Sequence, residues 1–151
     1  MQLLAEASTT IRCSVDQVFA LISDMQRFAE WFPGVIDIVS VDTLPVATLG
    51  KRYRETVSIP LRGKQQIEIE VKEVEVGRRF VTEGNFPPLL PRMEILLEGL
   101  GVETHVQWAM YSRNNARLVR VLLLPLVRPT LQRRAQLGVD HLKSLLESAP
   151  R

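Results

Sequence analysis

Between residues 35 and 110, apolar and polar residues alternate with a period of two, and turn residues divide the stretch into segments of strand length. In one segment Ile67, Ile69 and Val71 alternate with charged residues. A period of two places neighbouring side chains on opposite faces of a strand, so each segment has one apolar face. The pattern predicts an antiparallel sheet that is packed on one side and solvated on the other.

The strands of this sheet are separated by identifiable turns and one irregularity. A tight turn is predicted at residues 60–63, Gly77 ends the next strand, and a proline-rich loop follows at residues 87–91. Val74 is out of phase with Val71, which predicts a bulge near Glu73. The predicted inward faces are Tyr53, Glu55, Val57 and Ile59; Phe80, Thr82, Gly84 and Phe86; Met93, Ile95 and Leu97; and Val106, Trp108 and Met110.

Helical patterns occur in the sequence before and after the main run of predicted strands. Residues 3–12 are predicted to form a strand. Ser14 and Gln17 after it are spaced to cap the start of a helix, and Asp24 is positioned to cap a second short helix that ends near residue 33. After residue 115 the apolar residues recur at steps of three and four, which predicts one long helix with Pro125 and Pro129 delaying or kinking its start. This stripe consists of Val127, Leu131, Ala135, Gly138, Leu142, Leu145 and Ala149.

These elements predict an α+β domain covering residues 1–151, in the order strand, two short helices, about six strands and a long helix. A strongly curved antiparallel sheet wrapped around the C-terminal helix is the expected packing, because no other element is large enough to cover the apolar face. Aromatic residues make up only 6% of the chain. We therefore expect a cavity between the sheet and the helix.

Several function classes have little support in the sequence. The net charge of +2 is too small to indicate nucleic-acid binding, and no phosphate-binding loop, nucleophile elbow or Cys/His cluster is present. We predict no metal site and no cofactor. His105 is expected to face solvent, and His141 cannot pair with the adjacent Asp140, because neighbours on a helix diverge.

The compartment is predicted from equally simple features. Cys13 is the single cysteine, and the first residues lack the basic start and apolar stretch of a secretory signal. The longest apolar run, residues 121–127, is interrupted by Pro125 and is too short to span a bilayer. A cytoplasmic location is the expectation, and the oligomeric state is left open.

Glu55 is the strongest candidate for chemistry, because it shares the inward face of its strand with Tyr53, Val57 and Ile59. Burial would raise the pKa of its carboxyl group and suit it to acid/base work, with Tyr53 as a hydrogen-bond partner. The alternative is a structural Glu55 that pairs with an arginine or reaches water. Thr82 can add a second polar group from its own strand.

Five segments in this order carry a resemblance to a known superfamily: SVDQVFALISDMQRFAEWFPGV, LGKRY, VKEVEVGRRF, ETHVQW and LLLPLVRPTLQRRAQLGVDHLKSLLE. Together they resemble the START-like (SRPBCC) proteins, in particular the polyketide cyclase/dehydrase and lipid transport group. The resemblance implies a helix-grip fold with a deep cavity for lipids, polyketides, isoprenoids or similar apolar molecules. It implies no single activity, because one fold hosts many functions.

Two functions remain open at this point. The chain could carry or sequester a small hydrophobic ligand, or it could be a polyketide cyclase/dehydratase-like enzyme that uses Glu55 as its acid or base. The tryptophans could stack on a ligand and the methionines could adapt to its shape, or both could simply pack in the core. The expected ligand-binding residues are Trp31, Tyr53, Glu55, Val57, Ile69, Thr82, Met93, Ile95, Leu97, Trp108, Met110 and Leu131.

The arginines of the last third of the chain suggest a further surface. Residues 104–139 contain six arginines and no acidic residue. Alternate turns of an antiparallel sheet lie at the same end, so residues 60–63, 86–91 and 112–117 should gather beside the start of the long helix. Apolar side chains ringed by arginines there would suit peripheral contact with an anionic membrane. The alternative is that the leucines close the end of the sheet and the arginines keep it hydrated.

Overall fold

The computed structural model describes residues 1–148, so the predicted stripe member Ala149 lies outside the described residues. The strands are β1 (Gln2–Ile11), β2 (Val35–Ser40), β3 (Arg52–Ile59), β4 (Gly63–Glu75), β5 (Arg79–Asn85), β6 (Pro91–Gly99) and β7 (Thr104–Ser112). Helix α1 (Val15–Ile22) and a 3₁₀ helix (Met25–Glu30) follow β1. A π-helical turn (Val119–Leu123) leads into the long helix α2 (Leu124–Glu147).

The seven strands form one antiparallel sheet in the order β1-β7-β6-β5-β4-β3-β2. Helix α2 packs mainly against β1, and the 3₁₀ helix packs against β2. The predicted α+β helix-grip architecture is therefore confirmed. The predicted bulge is also present, because the pairing of β4 with β5 shifts between Val71 and Glu73.

The two short helices begin where their capping residues predict. The Ser14 hydroxyl accepts a hydrogen bond from the Gln17 backbone N–H, and the Asp24 carboxylate accepts one from Gln26 N–H. The Gln17 side chain differs from a reciprocal capping box, since its oxygen accepts from Cys13 Sγ and Ser14 Oγ at 3.1 Å each. Each cap satisfies backbone donors that have no partner within the helix.

The start of the long helix is altered by its prolines. Pro125 lies in the first turn of α2 and Pro129 lies inside the helix. The π-helical turn precedes them, and there the Leu124 N–H donates to Val119 O, five residues back. Proline has no N–H to donate, so the regular hydrogen-bond pattern is interrupted at this position. The predicted effect of the prolines thus takes the form of a widened helical turn.

An aromatic cluster fills the space between the sheet and α2. Phe28 stacks on Phe32 with ring centroids 4.9 Å apart, and Phe32 stacks on Trp108 at 5.0 Å. Trp31 meets Phe28 edge-on at 4.8 Å. Gly138 of α2 faces this cluster, and a Cβ there would lie 2.8 Å from Cδ2 of Phe32. The missing side chain of Gly138 therefore lets the helix approach the rings closely.

Strand β1 is an edge strand, and side chains of α2 pair with its outer backbone groups. Gln132 accepts from Glu6 N–H at 3.1 Å and donates to Glu6 O at 2.8 Å. Arg128 donates to Leu3 O, and Lys143 donates to Thr10 O. Unpaired edges invite pairing with other chains. In this protein the helix covers the edge with side chains instead.

We expect Gln132→Ala to lower the free energy of unfolding by about 1–2 kcal/mol, since each of the two hydrogen bonds contributes about 1 kcal/mol. The Glu6 amide should also exchange faster with solvent, which NMR hydrogen exchange measures. Gln136→Ala is the matched control, because the one hydrogen bond of the Gln136 side chain within the described part of the chain is to Asp140. Equal effects of the two substitutions would contradict the edge-covering role of Gln132.

Candidate functional site

A small pocket lies on the inner face of the sheet, beside the 3₁₀ helix. Its volume is about 40 Å³. The lining is mostly apolar, with Glu55 and Thr82 as the two polar side chains. The residues around it are Met25, Phe28, Glu55, Ile67, Ile69, Thr82, Gly84, Pro91, Met93 and Met110.

The predicted site residues are divided between this pocket and the core. Glu55, Ile69, Thr82, Met93 and Met110 line the pocket. The others pack away from it: Trp31, Tyr53, Ile95, Leu97 and Trp108 are buried in the core, and Val57 and Leu131 are half-buried against it. The roles of all twelve in ligand binding stay predictions.

The expectation of a wide cavity is wrong for this structure. Ligand sites usually measure about 300–1,000 Å³, whereas 40 Å³ holds about one water molecule. The physical reason is the aromatic cluster, because Phe28, Phe32 and Trp108 stack across the space that was expected to be empty. Few aromatic residues suffice to fill it, since they converge from the 3₁₀ helix, the segment after it and β7.

Glu55 brings a carboxyl group into this apolar pocket. The side chain forms no hydrogen bond or ion pair with any residue from 1 to 148. The residue is half-buried, and the protein atoms packed around its carboxyl group partly desolvate it. Burial raises the pKa of Glu55 from its ordinary 4.5 to about 7, because desolvation penalises the charged form. Around neutral pH the group is therefore divided between acid and carboxylate, so it can donate or accept a hydrogen bond.

Tyr53 lies on the same face of β3 but does not bond to Glu55. Its hydroxyl is buried near the Met25 backbone and has no well-formed hydrogen bond within residues 1–148. Burial raises the pKa of Tyr53 to about 12. The Nζ of Lys51 lies 5.0 Å from the ring centroid. The predicted Tyr53–Glu55 hydrogen bond is thus absent, because the ring is directed toward the 3₁₀ helix.

Further polar groups without partners lie in the aromatic cluster. The indole N–H groups of Trp31 and Trp108 are buried and make no hydrogen bond with any described residue. A buried donor without a partner costs about 1–3 kcal/mol. Together with Glu55 and the Tyr53 hydroxyl, these groups give the inner face hydrogen-bonding capacity that protein atoms leave unused.

Sequence reasoning missed five residues of the pocket lining. Ile67 and Gly84 lie on apolar strand faces but are absent from the predicted ligand-binding set, and Pro91 falls in the predicted proline-rich loop. Met25 and Phe28 were missed because they lie on the 3₁₀ helix, where alternation along a strand gives no information. Their apolar character after the Asp24 cap was the available signal.

The larger concavities lie on the outer face of the sheet and differ in character. Grooves of about 630 and 440 Å³ are lined largely by polar residues such as Arg79, Glu98 and Gln107. His105 faces this side, and its Nδ1 lies 3.1 Å from Thr10 Oγ1. Among residues 1–148, no group of His, Cys, Asp or Glu side chains is arranged to hold a metal ion.

The pocket lies toward the end of the sheet where several connections meet. Strand pairing places the turn after β3, the β5–β6 loop and the segment after β7 at this end. The last two are bonded together, since Arg113 N–H donates to Leu90 O at 2.9 Å and Asn114 Nδ2 donates to Pro88 O at 2.9 Å. Gly84 and Pro91 of the pocket lining flank the same loop.

Solved structures with the same fold support this description. The protein TTHA0849 from Thermus thermophilus superposes with a TM-score of 0.73 at 16% identity, covering 96% of this chain and 99% of that one. The di-domain ARO/CYC StfQ from the steffimycin biosynthetic pathway gives a TM-score of 0.69 at 11% identity, covering 94% of this chain and 44% of that one. Ara h 8.0201 gives 0.66 at 12% identity, covering 95% and 97%. These identities establish similarity of fold alone.

The curved sheet, the long helix and the small inner pocket define a helix-grip protein. No curated protein sequence matches the chain significantly. The model of the polyketide cyclase / dehydrase and lipid transport family matches residues 2–147. The chain belongs to that family, which confirms the resemblance drawn from the sequence. No helix in residues 1–148 has the length and apolar character needed to cross a membrane.

Proposed function

We propose that the protein binds a small hydrophobic ligand in the inner pocket, as a carrier or sequestering protein, with Glu55 as the polar anchor. The observation that carries this proposal is the unpaired Glu55 carboxyl group in a mostly apolar pocket. Burying a polar group without a partner costs free energy. A ligand with one hydrogen-bonding group and an apolar body would supply the missing partner.

Binding requires the pocket to widen, and its lining is suited to that. Met25, Met93 and Met110 line the pocket together with Glu55. Unbranched thioether side chains change rotamer with little strain and repack around different shapes. Phe28 belongs to the aromatic cluster, and its displacement would connect the pocket with the unpaired indole groups of that cluster.

The proposal predicts that Glu55→Gln weakens ligand binding about 5- to 150-fold, because a hydrogen bond involving a buried polar or charged group contributes about 1–3 kcal/mol. Native mass spectrometry of the purified protein would first identify a co-purified small molecule, and titration with that compound would then measure affinity. Glu68→Gln is the matched control, since Glu68 is exposed on the neighbouring strand β4. Unchanged affinity in Glu55→Gln would exclude the anchoring role.

A second candidate function is catalysis of a cyclisation or dehydration by Glu55. A pKa of about 7 suits a general acid or base at neutral pH, and StfQ, a similar structure, is described as an ARO/CYC. The two functions differ in the response to Glu55→Gln. Retained binding with lost turnover of a polyketide substrate would favour the enzyme.

The cytoplasmic location expected from the sequence stays a prediction.

A further inference from the structure

The helix start carries apolar side chains that the fold leaves uncovered. Leu118, Leu122 and Leu126 are spaced four residues apart and are 72%, 62% and 76% exposed. Val121 beside them is exposed as well. Side chains at this spacing lie on one side of a helix. We call these four residues the apolar ridge.

A second apolar tip lies at the same end of the sheet. Leu61, in the turn between β3 and β4, is completely exposed, with a backbone φ of 68°. Strand pairing places this turn at the same end of the sheet as the C-terminal end of β7. The segment that follows β7 leads from there into the ridge. Two separate elements thus present leucines to solvent at the end of the sheet near the inner pocket.

The charged residues of the segment that carries the ridge are all arginines. Arg117 and Arg120 are exposed, and neither side chain forms an ion pair within the described part of the chain. Arg62 is exposed next to Leu61. No acidic residue occurs in residues 104–139, so the arginines near the ridge are not neutralised by their own segment.

We propose that the apolar ridge, Leu61 and the flanking arginines form a docking surface for an anionic lipid bilayer. A second copy of the chain would bring arginines against arginines, which is unfavourable. A folded protein partner needs a matching shape, whereas isolated leucine tips enter a fluid interface without one, and arginines pair with anionic headgroups. The docking does not depend on the identity of the pocket ligand.

Co-sedimentation with vesicles of phosphatidylcholine, with and without phosphatidylglycerol, tests this surface. We expect binding to the anionic vesicles that weakens as salt rises, because exposed charges are screened. Arg117→Glu combined with Arg120→Glu should reduce partitioning by at least about thirtyfold, since each basic residue near the surface contributes about 1 kcal/mol. Arg54→Glu with Arg78→Glu is the charge-matched control, because both are exposed and Arg78 lies at the opposite end of the sheet.

The apolar contribution is tested separately. Leu122→Asn with Leu126→Asn should weaken binding about tenfold or more. Val76→Asn with Val102→Asn, equally exposed in turns at the opposite end, should leave it unchanged. In Leu122→Cys, an environment-sensitive dye should shift to the blue on anionic vesicles; Cys13 is buried and competes little for the label.

Three results would overturn the proposal: no binding at low salt, equal binding to neutral vesicles, or equal losses in the ridge and control variants. A concentration-dependent dimer that is abolished by the ridge variants would assign the surface to self-association instead. The ligand titration is done without vesicles. Failure of docking and failure of ligand binding are therefore distinguishable.

Discussion

Glu55→Gln is expected to raise the free energy of unfolding by about 3 kcal/mol at pH 8 and to leave it nearly unchanged at pH 4. The pKa of Glu55 is raised from 4.5 to about 7 by burial, and one unit of pKa difference corresponds to about 1.4 kcal/mol. Between pH 4.5 and 7 the unfolded chain has ionised this group and the folded chain has not, so stability falls as pH rises. Glutamine removes that titration.

The measurement is urea denaturation at several pH values, on protein refolded from denaturant so that any bound ligand is lost. Glu68→Gln again serves as the control, because its exposed carboxyl group should give no comparable change with pH. If Glu55→Gln and the parent lost stability in parallel between pH 4.5 and 7, the carboxyl group would not be desolvated as the structure places it.

Phe32→Ala is expected to lower the free energy of unfolding by about 3–5 kcal/mol, the usual cost of removing a buried phenylalanine ring. Phe32 is 6% exposed and its ring stacks on both Phe28 and Trp108. The loss is a large part of the 5–15 kcal/mol typical of a domain. Thermal and urea unfolding measure it, and Leu126→Ala, on the exposed ridge, is the control expected to change stability little.

The aromatic cluster also predicts that the effect of Gly138→Ala on stability changes sign when Phe32 is removed. Gly138→Ala alone should destabilise the protein by about 1–2 kcal/mol, because the new Cβ would contact the Phe32 ring at 2.8 Å. In the Phe32→Ala background the clash is gone, and the better helix propensity of alanine should stabilise the protein by up to about 1 kcal/mol. The same sign in both backgrounds would show that the contact with Phe32 is not what requires glycine.

The order of the elements could be predicted because each one has a local signature. The alternation around Ile69 defines β4, the phase change at Val74 marks its bulge, and Ser14 and Asp24 mark two helix starts. Such signals depend on residues a few positions apart. The family resemblance predicts the same architecture.

The pocket could not be predicted to the same degree, because its size depends on packing between distant segments. The direction in which Glu55 points follows from β3 alone. The space between the sheet and α2 is filled because Phe28 and Phe32 pack against Trp108, and Phe32 fits there because Gly138 has no side chain. The absence of a Tyr53–Glu55 hydrogen bond also depends on packing between distant segments, since the Tyr53 ring packs toward the 3₁₀ helix.

The backbone groups of β1 find their partners only in the last third of the chain. Its strand partner β7 begins at Thr104, and the helix side chains that cover its other edge begin at Arg128. During synthesis β1 therefore leaves the ribosome long before either partner exists, whereas hairpins such as β3–β4 form between adjacent segments. Completion of the sheet is a long-range step, and such steps are slow. A nascent chain stalled before α2 would carry an open strand edge available for intermolecular pairing.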